Sequence, residues 1–168
     1  GDDVLKGGAG NDAIDGGGGS DDEVNYSDVS ANAIIVDLVG GTATDVGGTA
    51  IGTDTITGVE NIVGTTFGVA GNGDGDILKG ESGNNAISGL AGDDSIYGLG
   101  GVDTLDGGDG VDTVDYSAAD IEGVTINMVT GAVATDGFGS VNETALNFEN
   151  FVGSDFGDNV ITTTADND

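Results

Sequence analysis

The sequence predicts an all-β fold, a solenoid in which two short parallel sheets face each other. Three observations predict it. A nine-residue unit runs head to tail from Gly71 to Asp115, reading GNGDGDILK, GESGNNAIS, GLAGDDSIY, GLGGVDTLD and GGDGVDTVD. Position eight of every unit is aliphatic: Leu78, Ile87, Ile96, Leu105 and Val114. Position one is always glycine, at Gly71, Gly80, Gly89, Gly98 and Gly107. A unit this short has too little apolar surface to fold alone, so the units must stack.

Each half of the unit has its own reading. The first six positions hold Gly, Asp and Asn, residues suited to tight turns and to positive φ. The last three, as in Thr104-Leu105-Asp106, place one aliphatic inward between two outward polar residues, a strand of three. Two units complete one turn of eighteen residues. The position-eight aliphatics then fill the space between the sheets.

Residues 1–27 form a first block of the same kind. Asp3 takes position six and Leu5 position eight of a partial unit, and Gly7 to Asp15 is a complete one. The next unit, Gly16 to Asn25, has one extra residue, which leaves Asp21 or Asp22 at position six and Val24 at position eight. Residues 71–117 form the second block. The stretches 28–70 and 118–168 are irregular, but they alternate apolar and polar residues at 34–38 and 51–57 and read as strands. They are expected to be wider rungs of the same solenoid, the second leading into a further unit at Gly153 to Ile161. An independent β-sandwich is the alternative.

Block and spacer repeat together. Val24-Asn25-Tyr26-Ser27 returns as Val114-Asp115-Tyr116-Ser117, and Val59-Glu60-Asn61 as Phe148-Glu149-Asn150, an offset of about 90 residues. The chain begins mid-unit and stops mid-unit at Ala165-Asp166-Asn167-Asp168, as expected of a segment from a longer array.

The charge is extreme: 31 acidic residues against two lysines, Lys6 and Lys79, for a net −29. Such a chain repels itself, yet its apolar residues are in register. Cations must neutralise the acids before those residues can stack. Nucleic acid is excluded as a partner, because no basic patch exists to meet phosphates. No apolar run is long enough to span a bilayer, so direct membrane insertion is not expected. Cysteine and histidine are both absent. That removes disulfides, thiolate sites, ordinary zinc sites and the Ser-His-Asp arrangement. With the usual acid–base and nucleophilic groups missing, the segment is not expected to be an enzyme. Zero cysteine with high acidity fits a secreted or cell-surface bacterial protein.

Carboxylates and bare peptide carbonyls are hard oxygen donors, which choose Ca²⁺ over zinc or copper. Stacking at eighteen residues puts Asp76 beneath Asp94 and Asp94 beneath Asp112 along one edge. Asn85 pairs with Asp103 along the other edge, and Asp3 with Asp21 or Asp22 in the first block. Two side chains and several turn carbonyls can supply the roughly 6–8 oxygens calcium prefers.

The units resemble the nonapeptide G-G-x-G-x-D-x-U-x, with U apolar, of the RTX (repeats-in-toxin) haemolysin-type calcium-binding family. Gly7 to Asp15 and Gly107 to Asp115 match at every defined position, while Gly89 to Tyr97 and Gly98 to Asp106 miss only the second glycine. The resemblance implies a right-handed parallel β-roll with calcium in its Gly-Asp turns, export by type I secretion and folding outside the cell. It carries the ligand positions onto Asp12, Asp94, Asp103 and Asp112, and onto Asp3, Asp76 and Asp158. Asn85 departs from the pattern as a neutral, weaker ligand. Asp74 stands where a turn glycine is expected. Turn residues Gly8, Gly10, Gly83, Gly92, Gly101, Gly108 and Gly110 complete the candidate set, for about four to eight calcium ions.

Other features read as structural. Asn72-Asp74-Asp76 fails as an EF-hand loop, because Ile77 and Gly83 stand where Gly and Glu are required. Tyr26 and Tyr116 are expected to close the first wide rung. Glu60 and Glu149 are too far apart along a solenoid to act as a catalytic pair. Thr53, Thr55 and Thr57 point outward but are not expected to recur on neighbouring rungs. The expected function is a calcium-folded structural segment of a secreted RTX protein, adhesin-like or on a surface. A self-assembling subunit that pairs end to end with its copies is one alternative, and the non-catalytic tail of a secreted enzyme is another.

Overall fold

The computed structural model describes residues 1–48 and 50–161, so the broken unit at Ala165–Asp168 lies outside the described residues. The first block supplies strands β1 (Val4–Leu5), β2 (Ala13–Asp15) and β3 (Glu23–Asn25). The first spacer supplies β4 (Ile34–Asp37), β5 (Thr42–Asp45), β6 (Thr53–Thr57) and β7 (Asn61–Val63). The five nonapeptides become β8 (Ile77–Lys79), β9 (Ala86–Ser88), β10 (Ser95–Tyr97), β11 (Thr104–Asp106) and β12 (Thr113–Asp115). The second spacer gives β13 (Thr125–Asn127), β14 (Ala132–Thr135), β15 (Glu143–Leu146) and β16 (Asn150–Val152), and β17 (Asn159–Ile161) follows.

These strands form two mostly parallel sheets, an arrangement consistent with a β-roll. One has the order β1-β3-β7-β9-β11-β15-β14-β13-β17 and the other β16-β12-β10-β8-β4-β5-β6-β2. Through the nonapeptides the chain changes sheet at every strand, so units eighteen residues apart are neighbours. Leu78 pairs with Ile96 and Ile96 with Val114 in one sheet, and Ile87 pairs with Leu105 in the other. The inward residue of each three-residue strand is buried: Leu78, Ile87, Ile96, Leu105 and Val114 are at most 1% exposed. Burying a side chain of this size is worth about 1.5–3 kcal/mol. One continuous core joins them to Val24, Ile62, Val36, Ile56 and Ile126.

The spacers depart from the all-parallel expectation. β4, β5 and β6 form an antiparallel meander inside the eight-stranded sheet. β13, β14 and β15 form another inside the nine-stranded sheet. In each, the chain jumps ahead, reverses twice, and returns beside the strand it had left, so that β6 pairs with β2 and β15 with β11. The turns explain the reversals. Asp37 Oδ1 accepts the Gly40 amide at 2.9 Å and Gly41 takes φ 64°, while Asn127 holds Val129 and Thr130 ahead of Gly131 at φ 71°. A local side-chain acceptor and a left-handed glycine close a turn where a rung was expected.

The meander also brings threonines together. Thr42 lies opposite Thr55 and Thr44 opposite Thr53, so the outward threonines of β6 do recur on the neighbouring strand, contrary to the sequence reading. Tyr26 and Tyr116 are both 1% exposed. Each donates its hydroxyl to an inward carboxylate of a meander, Tyr26 to Asp54 Oδ2 at 3.0 Å and Tyr116 to Glu143 Oε1 at 2.6 Å.

Candidate metal centre

The position-six side chains stand just before the repeat strands, along the turn edge of each sheet. Their backbone is fixed by the parallel ladder, so each carboxyl can reach the amide of the unit stacked next to it. Asp94 Oδ1 accepts the Asp76 amide at 2.6 Å, and Asp112 Oδ1 accepts the Asp94 amide at 2.8 Å. Across the roll, Asp103 Oδ1 accepts the Asn85 amide at 2.9 Å, and Asp22 Oδ1 accepts the Asp3 amide at 2.8 Å. Asp22, not Asp21, therefore holds position six: it is buried and Asp21 is exposed.

One oxygen of each carboxyl is thus used, and the other is not. The Oδ2 atoms of Asp12, Asp22, Asp94, Asp103 and Asp112 are buried without a hydrogen-bond partner. An unpaired buried charge is expensive. Burial accordingly pushes Asp94 and Asp103 up to about 7 and Asp112 up to about 6, with neighbouring carboxylates adding to the effect.

The repeat's first glycine faces the unpaired oxygen. A Cβ on Gly89 would collide with Asp94 Oδ2 and one on Gly98 with Asp103 Oδ2, while one on Gly107 would lie 2.7 Å from Asp112 Oδ2. The turn backbones stack equally closely. A Cβ on Gly101 would strike the carbonyl of Gly83, one on Gly108 that of Leu90, and one on Gly110 that of Gly92. Gly8, Gly10, Gly92, Gly101 and Gly108 adopt φ between 90° and 126°. The second unit position tolerates a side chain there, since Leu90 and Leu99 take φ 73° and 68°. Oxygen-only donors, an unpaired carboxylate oxygen and uncovered turn backbone suit a hard divalent ion.

Residues 1–22, 70–105 and 79–114 match the RTX calcium-binding nonapeptide repeat, in four copies. The chain carries haemolysin-type RTX repeats in several copies. RTX repeats bind Ca²⁺ and are typical of type I secreted bacterial proteins. No curated protein matches the chain.

Not every position-six residue of these RTX repeats is alike. Both Asp76 oxygens are occupied, by the amides of Ile34 and Thr65 and the Thr65 hydroxyl at 2.6–3.1 Å. Its facing glycine is Gly64, whose Cβ would lie 2.5 Å from Asp76 Oδ2, and not Gly71. The unit at Gly71 is therefore an enlarged turn, with Asp74 contributing its carbonyl to the Asp93 amide at 3.1 Å. Asn85 spends its amide on the Glu60 carbonyl at 2.6 Å and its oxygen on the Glu81 amide at 2.9 Å. Asp158 Oδ1 accepts from Val124 N and Ser154 Oγ, and Asp3 is exposed.

Four acidic residues outside the repeats extend the same ladders. Asp54 Oδ1 accepts the Asp12 amide at 2.9 Å, Glu60 Oε2 the Asp22 amide at 3.0 Å, and Glu149 Oε2 the Asp112 amide at 2.9 Å. Glu143 stands next to Asp103 in register, since Thr144 pairs with Thr104. The sequence reading missed these as ladder members, although Glu60 and Glu149, and likewise Asp54 and Glu143, recur about 90 residues apart. Among the described residues, no three acidic side chains already converge as a chelating group, so the ladder sites depend on backbone oxygen as well as carboxylates.

Proposed function

We propose that this chain is a calcium-folded, non-catalytic structural segment of a secreted bacterial protein, adhesin-like or on the cell surface. The observation that carries this reading is the row of buried, unpartnered carboxylate oxygens, each facing a glycine that leaves it room. Blocks 1–27 and 71–117 are the ion-binding parts of one right-handed solenoid, and the stretches 28–70 and 118–168 continue it. Asp12, Asp22, Asp94, Asp103 and Asp112 are the principal ligands, with turn carbonyls of Gly8, Gly10, Gly83, Gly92, Gly101, Gly108 and Gly110. Four to eight ions per chain, about one per ladder gap, satisfy the calcium preference for oxygen.

Binding is then folding. Extracellular calcium modules bind at about 10⁻⁴–10⁻³ M, so the chain stays open where free calcium is scarce and closes after export. Two lysines cannot substitute for the ions: Lys6 reaches Asp28 and Lys79 reaches Asp37, both at 3.4 Å and neither in a ladder. The test is a calcium titration followed by far-ultraviolet circular dichroism, with bound ions counted by native mass spectrometry. A coil-to-β transition with several ions bound is expected. A chain that binds none at millimolar calcium overturns the reading.

A further inference from the structure

The sequence contains a single Asn-Gly step, Asn72-Gly73, and it lies in the enlarged turn that opens the second block. Glycine carries no side chain to shield its own backbone nitrogen. An Asn-Gly step is therefore where an asparagine loses its side-chain amide most readily. Asn72 and Gly73 are both exposed, and Gly71 and Gly73 take φ 79° and 75°. Exposure alone would leave the step reactive, but both of its reacting groups are occupied in the folded chain. The Gly73 amide donates to Asp93 Oδ2 at 2.7 Å, and the Asn72 side-chain amide donates to Asp74 Oδ2 at 2.7 Å.

Asp93 differs from its counterpart in the preceding unit in a way that serves this contact. Asn84 and Asp93 each hold the amide eighteen residues ahead, Val102 at 2.8 Å and Val111 at 3.0 Å. An asparagine has one acceptor oxygen and is then used up. Asp93 has two. Its Oδ1 also accepts the Gly71 amide at 2.7 Å, and its Oδ2 is left for Gly73. These amides hold its carboxyl below the ordinary value, so it stays an acceptor on both oxygens.

We propose that Asn72 is a deamidation site gated by folding, and that Asp93 is the clamp that protects it. In the open chain the Gly73 nitrogen gives its proton to solvent and attacks Asn72 Cγ. The Cγ–Nδ2 bond breaks and ammonia leaves. Water then opens the succinimide, at Cγ to give aspartate or at the main-chain carbonyl to give isoaspartate. Either product damages the turn. Aspartate sets a second carboxylate against Asp74, where an amide had donated. Isoaspartate inserts a methylene between Gly71 and Gly73, whose amides must both reach one carboxylate. Chains that wait without calcium are thereby marked, a consequence that rests on the calcium-folding reading; protection by Asp93 in the folded chain does not.

The full chain is incubated in mildly alkaline buffer with calcium, with chelator, and in urea. Peptide mapping by mass spectrometry, with aspartate and isoaspartate separated, follows Asn72, and circular dichroism reads the fold in each arm. Conversion in urea and in chelator is expected to be fast. Conversion in calcium is expected to be about tenfold slower or more, a ratio that an opening cost of about 1.4 kcal/mol already gives. Asp93→Ala, checked as folded in calcium, should convert Asn72 several-fold faster than wild type there. Asp93→Asn, which keeps one acceptor oxygen, reads the same acceleration if Asp93→Ala does not fold. An Asn72 that stays intact in urea, or that converts alike in wild type and the folded Asp93 variant, overturns the proposal. Sheet persisting in chelator, with Asn72 protected there too, sinks the calcium-folding reading and leaves the clamp standing, so the two failures are distinct.

Discussion

Protons and calcium should be interchangeable in folding this chain, and pH is the perturbation that shows it. Asp94 and Asp103 move from an ordinary 3.8 to about 7, chiefly through burial. Taken whole, each rise makes the ionised folded state about 4 kcal/mol less favourable. Halved for solvent screening near the turn edge, the two still cost on the order of 4 kcal/mol together. A domain's whole stability is about 5–15 kcal/mol. The sign follows from proton uptake. Between about pH 4 and 7 the folded chain holds more protons than the unfolded one, so metal-free stability falls as pH rises through that window. The penalty is absent below the unfolded value and complete above the folded one. Calcium-stripped protein at low concentration should therefore show β-sheet circular dichroism at pH 5 and coil at pH 8, and added calcium should restore the sheet at pH 8. Equal β signal at both pH values without metal, or less at pH 5, would refute the argument that unpaired buried carboxylates are what calcium relieves.

Four further outcomes are expected. Gly89→Ala places a methyl against Asp94 Oδ2 and 2.5 Å from the Gly107 carbonyl, and should lose about 1–3 kcal/mol and weaken calcium binding. Gly8→Ala meets nothing within 4 Å and should lose only the left-handed backbone penalty of about 1–2 kcal/mol, with calcium affinity kept, as urea melts in calcium will report. Asn85→Asp removes the amide that donates to the Glu60 carbonyl and adds an unpaired oxygen, so the variant should be less stable in chelator yet carry one more ion by mass spectrometry. Ile96→Ala empties a fully buried position between Leu78 and Val114 and should cost about 2–5 kcal/mol in the same melts, with ion count unchanged once folded.

The repeat strands could be read directly. A fixed aliphatic every nine residues, flanked by polar residues, leaves one inward direction, and eighteen-residue stacking then sets which carboxylates meet. The choice between Asp21 and Asp22 could not be made, because the extra residue loops out among Gly16–Gly19 and only burial shows which acid faces inward. The meanders were hidden for another reason. Alternation identifies β4 and β6 as strands but carries no direction, and direction is set by Asp37 with Gly41, and by Asn127 with Gly131. Those turn signals were present and went unread. The replacement of Gly71 by Gly64 was beyond reach, since the two are separated by an enlarged turn that only the folded chain reveals. Asp54 and Glu143 escaped notice, and Glu60 and Glu149 were read only as structural, because their spacing obeys the 90-residue period and not the nine-residue one.

The two meanders occupy opposite sheets, and arithmetic parity explains why. Six strands, β7 to β12, separate them, and the chain changes sides at each strand. An even count delivers the second spacer to the side the first did not use. Each meander adds two strands, about 10 Å at the usual strand spacing, to one flank of the stack and so acts as a wedge. Wedges on alternate flanks cancel each other's bend. Adding or deleting one nonapeptide would put both on the same flank, and a rod that holds its heading would become an arc.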